Sequence, residues 1–368
     1  MKILHFAPQL QIGGATQLAA DLVYALQAYE VQSLLLRPPC EQVAPLAGAQ
    51  LRQFVYRPYP LLGRIGSVIK LRRMIRTHAP KIVQTYGYEA AATAVHACKG
   101  LPEGSRPRIV AALLGYPTAQ ERRLLPLLGS CDAITMISKH LRTELKKAVS
   151  TLIKSWVIPY GVNETLCYPG YTPSAETRAE WQQRHPELKD RFVICLPGPI
   201  SAAHGTAGII PIMTSLLSQD IPAHMLIAGN TKAAIPAFLN TLHRQLRSAG
   251  LEQRVTWLGA PPNMRDVYCM SDAVLSLNKL PAAYDRPILE ALALGRPVAG
   301  YDHGVIGEYL GTFNPIGALP PGDEDAAADV LSQWYSYPPE PDSGVSYPYR
   351  LSDTAANYYE LYLTLIGS

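Results

Sequence analysis

Short apolar runs alternate along this chain with longer stretches in which apolar residues recur every three or four positions. In the first half, residues 2–6, 31–36, 82–86, 108–113, 133–137 and 156–159 predict strands. Residues 16–28, 62–77, 120–128 and 139–148 predict helices with one apolar face. The pattern then restarts: residues 192–196, 224–228, 255–258, 273–277 and 298–301 read as strands, with helices near 206–218, 231–248, 263–270, 287–294 and 323–335. Strands separated by helices of this length imply parallel sheets covered on both faces. The predicted fold is therefore α/β, with two doubly wound Rossmann-like parallel-sheet domains facing a cleft. Such folds take ligands at the carboxyl ends of their strands. The turn-rich stretch Tyr168-Pro169-Gly170-Tyr171-Thr172-Pro173 and a polar helix over 175–183 separate the two patterns. The division predicted is a first domain over 1–165, a linker and helix over 166–190, and a second domain over 191–350.

The composition, 48% hydrophobic and 17% charged in 368 residues, is that of a chain able to bury two cores. No run approaches the 18 or so apolar residues of a membrane span, and the first residues lack a signal-peptide core, so the expected location is cytoplasmic. Six scattered cysteines without a C-x-x-C pair argue against a zinc site or disulfide framework, and read as buried thiols in a reducing compartment. The net charge of +4 hides an asymmetry: residues 1–165 hold 20 Lys and Arg against 9 Asp and Glu, and residues 166–368 hold 13 against 20. A basic half points to a polyanionic or membrane-surface partner, or is one of two ordinary surfaces.

Three stretches carry candidate chemistry. Gln11-Ile12-Gly13-Gly14-Ala15-Thr16 follows the first strand and opens a helix, where paired glycines and free N–H groups suit close approach of an anion. It is not a dinucleotide fingerprint, because G-x-G-x-x-G is absent. Glu290 sits in the otherwise apolar helix of Tyr284-Asp285-Arg286-Pro287-Ile288-Leu289-Glu290-Ala291-Leu292-Ala293-Leu294-Gly295, and a carboxylate there needs a polar partner such as a ligand hydroxyl. Asp302-His303-Gly304-Val305-Ile306-Gly307-Glu308 is a further glycine turn with a carboxylate after the last strand.

These stretches occur in a familiar order. The chain resembles the family 4 retaining glycosyltransferases of GT-B fold nearly end to end. Gly13-Gly14-Ala15 with Leu18-Ala19-Ala20-Asp21-Leu22 is similar to their N-terminal glycine loop, and Ile158-Pro159-Tyr160-Gly161-Val162-Asn163 to their I-P-N-G-V-D signature. Val255-Thr256-Trp257-Leu258-Gly259, Ser271-Asp272-Ala273 and residues 288–299 match the V-x-F-L-G, A-A-D and E-A-M-A-x-G-x-P-V-I-A landmarks in order. Residues 352–363 resemble the closing helix, so a helix over 351–367 is expected to pack back on the first domain. The resemblance implies a nucleotide-sugar donor on the second domain, a saccharide or glycolipid acceptor on the first, and transfer with no cofactor or metal ion. It implies that Glu290 binds the ribose hydroxyls and that Gly14 lies beside the diphosphate, with Gly13 and Gly304 lining the same site.

The chain departs from the family at four polar positions. The first glutamate of the E-x7-E motif is Ala282. The arginine and lysine that clamp the diphosphate correspond to Pro199 and His204, and the first-domain histidine to Leu114. Losing one preorganised group that stabilises developing charge costs about 2.7 to 4 kcal/mol. Either substitutes act, with His204 if protonated, Lys232, Lys279 and Arg286 as candidates, or the chain is an inactive relative that serves a partner glycosyltransferase. Asp323-Glu324-Asp325 has the D-x-D form of metal-dependent enzymes, but its place at a helix start reads as capping. Residues 51–81 hold eight basic residues and no acid, with Ile65, Val68, Ile69, Leu71, Met74 and Ile75 at helical spacing beside Lys70, Arg72, Arg73 and Arg76. Such a helix either lies peripherally on an anionic membrane surface or packs on a core with a solvated face. No nucleic-acid partner is expected, because no recognised binding module accompanies the charge.

Overall fold

Parallel strand pairing organises the chain into two units in the computed structural model, which describes residues 1–8, 15–38, 50–54, 61–148, 155–261, 263–339 and 348–367. One unit comprises Met1–Asn163 with Tyr349–Ser368, the other Glu164–Pro348.

The first unit runs β1 (Lys2–Phe6), α1 (Ala15–Ala25), β2 (Gln32–Arg37), β3 (Gln50–Gln53), α2 (Leu61–His78), β4 (Ile82–Tyr86), α3 (Tyr88–Cys98), β5 (Arg108–Leu113), β6 (Ala133–Met136), α4 (Lys139–Ala148) and β7 (Ser155–Val157). Its seven strands, all parallel, lie in the order β3-β2-β1-β4-β5-β6-β7. Strand β4 is buried along its whole length, as a strand covered by helices on both faces must be. Residues 120–128, read from the sequence as a helix, fall instead in 3-10 turns over Glu121–Ser130. Pro126 inside the segment removes a backbone donor and disfavours a continuous α-helix.

The second unit runs α5 (Ala175–Arg184), β8 (Phe192–Pro197), α6 (Ile209–Ser218), β9 (Ala223–Ala228), α7 (Pro236–Ser248), β10 (Val255–Trp257), α8 (Met264–Cys269), β11 (Ala273–Ser276), α9 (Arg286–Ala293), β12 (Val298–Tyr301), α10 (Gly304–Phe313), β13 (Ala318–Leu319) and α11 (Glu324–Ser336). Its six parallel strands have the order β10-β9-β8-β11-β12-β13. The core packs α6 and α11 against the sheet through Ile209, Ile212, Met213, Leu216, Leu331 and Trp334. The stretch 166–190, read as a linker and helix, groups with this unit. Tyr171 donates its hydroxyl to Asp266 Oδ1 at 2.7 Å, Arg265 lies over the Tyr171 ring, and Arg265 donates to the Leu166 carbonyl at 3.1 Å.

The last helix, α12 (Leu351–Gly367), returns to the first unit. Tyr358 pairs with Thr135 at 2.8 Å, and Tyr362 donates to Gln84 Oε1 at 3.0 Å, both in the buried interior. The chain enters α12 alongside 161–162: Val162 donates to the Tyr349 carbonyl and Leu351 to the Val162 carbonyl. A Cβ on Gly161 would stand 2.1 Å from the Arg350 carbonyl carbon, so only glycine fits beneath this crossing. That contact gives the glycine of the 158–163 signature a packing role.

The basic helix α2 divides its apolar residues between two faces. Leu71 and Ile75 are buried, whereas Ile65 and Ile69 are exposed. Arg72 is committed to structure: its Nε and Nη2 donate to the carbonyls of Ala97, His96 and Lys99 at 2.8 Å, satisfying the C-terminal end of α3. Among the described residues no helix is long and apolar enough to cross a membrane.

Candidate functional site

The carboxyl ends of β8, β11 and β12 gather most of the residues singled out in the second half. After β8 the chain turns through Gly198 and Pro199 into a loop held by its own side chains. Thr206 Oγ1 accepts from the Ser201 N–H at 3.1 Å, and the Ser201 hydroxyl meets His204 Nδ1 at 2.7 Å. Burial holds His204 below the ordinary histidine pKa. That shift disfavours a proton on the imidazole, the state in which His204 would stand in for the missing lysine. The segment after β11 meets this loop where the Lys279 N–H donates to the Ala203 carbonyl at 2.8 Å.

Asp285 caps α9, accepting from the Ile288 N–H at 3.2 Å, while Asn278 Nδ2 donates to its other oxygen at 3.1 Å. Burial pushes the Asp285 carboxyl up to about 6. One turn into α9, Arg286 Nε donates to Glu290 Oε1 at 2.7 Å, with the side chains 30% and 15% exposed. Glu290 thus has the polar partner its position demands, and Arg286 is its neighbour four residues back.

Gly304 opens α10 at φ 59°, and a Cβ there would stand 2.7 Å from the backbone N and O of Ala282. The Val305 N–H donates to the Ala282 carbonyl at 2.8 Å. The position where the family has its first glutamate is thereby fixed in space by its backbone, but carries only a methyl group. Gly304 has a packing role against that backbone. Beside it, both ring nitrogens of His303 are shielded from solvent without a hydrogen-bond partner.

The remaining predicted residues lie on other turns or outside the described set. Gly13 and Gly14 are outside the described residues. Lys232 is exposed on the turn after β9, where its N–H donates to Asn230 Oδ1. Leu114 follows β5 in the first unit. Asp323 caps α11 by accepting from the Ala326 N–H at 2.9 Å, the role its sequence position suggests. The sequence reading missed the Ser201–His204 and Asn278–Asp285 pairs. A serine three residues before a histidine, and an aspartate one residue before Arg-Pro at a helix start, were the available signals.

Two doubly wound sheets, the second with a carboxylate-bearing helix at its carboxyl edge, define a GT-B type glycosyltransferase architecture. Glyco_transf_4, described as Glycosyltransferase Family 4, matches residues 12–166, and Glycos_transf_1, described as Glycosyl transferases group 1, matches residues 177–347. The chain belongs to the family 4 glycosyltransferases. No curated protein matches it significantly. Among solved structures it is similar to a glycosyltransferase from Rickettsia africae, at 16% identity and TM-score 0.81, covering 99% of this chain and 98% of that one. It is also similar to Anabaena HepE in complex with UDP, at 18% identity and TM-score 0.76, with coverage of 100% and 98%. Sucrose-phosphate synthase from Thermosynechococcus elongatus aligns at 15% identity and TM-score 0.76 over 100% of both chains.

Proposed function

We propose that the protein transfers a sugar from a nucleotide-sugar donor to a saccharide or glycolipid acceptor, with retention of configuration and without a metal ion. The observation that carries this reading is Glu290, which stands on α9 at the carboxyl edge of the second sheet inside the matched family region. A carboxylate there can accept hydrogen bonds from both hydroxyls of a ribose, and Arg286 at 2.7 Å restrains its rotamer. The Anabaena HepE complex with UDP supports a nucleoside diphosphate as the leaving group. Stabilising that leaving group falls to backbone N–H groups and to Lys232, Lys279 and Arg286, because the loop 198–205 contains no lysine or arginine.

The absence of lysine and arginine from the loop 198–205 favours a second reading, an inactive family member that assists a partner glycosyltransferase. Thermal unfolding with UDP-, GDP-, ADP- and CMP-sugars separates the two. A ligand at 100 times its Kd stabilises the protein by about 2.7 kcal/mol, and Glu290→Ala is expected to abolish that shift. No stabilisation by any nucleotide would exclude the enzyme reading. A shift that survives Glu290→Ala would exclude the ribose assignment. Binding without sugar transfer to saccharide or lipid-linked acceptors would select the inactive form.

A further inference from the structure

The amino-terminal edge of the second sheet, opposite the loops that follow β8, β11 and β12, holds a cavity of about 490 Å³. That volume falls within the roughly 300 to 1,000 Å³ of small-molecule sites. Its apolar side is made by Phe192 at the start of β8 and Trp334 near the end of α11, both almost fully buried. The exposed ring of Tyr335 meets Phe192 edge-on, with the ring centres 5.5 Å apart. Its polar side brings together two guanidinium groups, of Arg191 and Arg296, and two carboxyl groups, of Asp190 and Asp272. Backbone hydrogen bonds hold these walls in place: the Arg296 N–H donates to the Ala291 carbonyl at 3.0 Å, and the Asp272 N–H to the Val193 carbonyl at 2.8 Å. Asp272 Oδ2 accepts in turn from the Val193 N–H at 2.7 Å. Arg296 Nε is shielded from solvent and has no hydrogen-bond partner among the described residues.

We infer that this cavity binds an anionic monosaccharide, a sugar phosphate or a uronate, as a second small-molecule site. A guanidinium N–H with nothing to donate to requires an acceptor from the ligand, and an anionic oxygen makes the stronger, charge-assisted bond. Ionised carboxylates only accept, so Asp190 and Asp272 require donors as well. A hydroxylated ring with one anionic substituent supplies both from one small molecule. An α-amino acid offers a single ammonium to two carboxylates that precede different strands, β8 and β11, and a bare anion lacks an apolar body for the aromatic side. The C–H face of a sugar ring packs on Tyr335, while the polar groups fix its orientation. Because the walls are already pinned, little ordering opposes binding. The inference does not depend on the nucleotide reading, since none of its residues lies on the loops after β8, β11 and β12.

Saturation-transfer NMR and calorimetric titration of the full chain with glucose 6-phosphate, glucuronate, glucose, inorganic phosphate and phenylalanine test it. Binding of the phosphorylated sugar, the uronate or both is expected at millimolar concentration, and the tighter of the two identifies the anion. A hydrogen bond to a charged group is worth about tenfold or more in affinity. Glucose, which lacks the charge, should therefore bind about tenfold more weakly or worse, and Arg296→Gln should weaken the anionic sugars by the same factor. Should Arg296→Gln lose its fold, Arg191→Gln carries the same test from an exposed position. Tyr335→Ala, also at an exposed position, should weaken binding at unchanged unfolding temperature and unchanged charge. Glu290→Ala should leave this binding intact, and the nucleotide response should persist in Arg296→Gln, so that failure of this site and failure of the donor assignment are told apart. Absence of binding by both anionic sugars would overturn the inference. So would binding unchanged in the arginine variant or in Tyr335→Ala, binding lost in Glu290→Ala, or inorganic phosphate or phenylalanine binding as tightly as the sugars.

Discussion

Asp285 builds a pH dependence into the start of α9. Its carboxyl is raised from 3.8 to about 6 by burial, so the folded state holds the proton more tightly than the unfolded chain does. The sign follows from linkage: the stabilisation is complete below about pH 4 and is lost as pH rises from about 4 to about 6. Its size is on the order of 2 to 3 kcal/mol, at about 1.4 kcal/mol for each tenfold difference in proton affinity between the two states. Asparagine caps a helix as well as aspartate does but does not titrate. Urea unfolding across this range should therefore show a falling stability in the native protein that is flattened in Asp285→Asn, and parallel profiles would refute the assignment. His303 presents the opposite case, polar capacity that folding leaves unused. Removing a buried group that makes no hydrogen bond is neutral or stabilising. His303→Phe is thus expected to leave the unfolding midpoint equal or higher. If the imidazole meets the donor, the same change should weaken nucleotide binding by about 5-fold or more, one hydrogen bond of roughly 1 kcal/mol. Loss of stability without loss of binding would make His303 a structural residue.

At the scale of elements, what the sequence revealed depended on whether an element had a face. Strands β1, β4, β5, β8 and β9 are near-continuous apolar runs bounded by polar turns, and their positions were readable within a residue or so. Strand β3 (Gln50–Gln53) has three polar residues in four and pairs only with β2 at the sheet edge, so neither apolar content nor alternation announced it. Helix α3 was missed for the converse reason. Tyr88, Ala90, Ala91, Ala92, Ala94, Ala97 and Cys98 are all buried, and a helix covered nearly all round has no polar stripe to set its period. Helix α10 began in a glycine turn that read as a loop, because its start is set by the approach of Gly304 to the Ala282 backbone, a contact from a distant part of the chain. The site divides in the same way. Glu290 and its partner Arg286 lie four residues apart on one helix, a spacing visible in sequence. The downward shift of the His204 pKa arises from tertiary burial, which no local pattern encodes.

At the scale of the whole molecule, the chain order and the packing order differ, and this has a thermodynamic consequence. The first unit is completed only when α12 returns after the entire second unit has been traversed. The return is anchored by the buried hydroxyls of Tyr358 and Tyr362 and by the crossing at Gly161, where Thr354 Oγ1 accepts from the Gly161 N–H at 2.9 Å and donates to the Pro159 carbonyl at 2.8 Å. The second unit contains none of these groups and has its own continuous core. Perturbing the crossing should therefore weaken one unit and spare the other. In Gly161→Ala the new methyl meets backbone rather than a movable side chain, so relief requires displacing 349–350 and loosening α12. A cost on the order of 3 kcal/mol, comparable to the larger single-residue effects, is expected in the first unit. A nucleotide bound at Glu290 acts on the second unit instead, raising its stability by RT ln(1 + [L]/Kd). Scanning calorimetry should then resolve two transitions that respond to different perturbations, with Gly161→Ala lowering one and nucleotide raising the other. A single transition moved equally by both would mean that the two units unfold as one cooperative body, and that the α12 return stabilises the molecule as a whole.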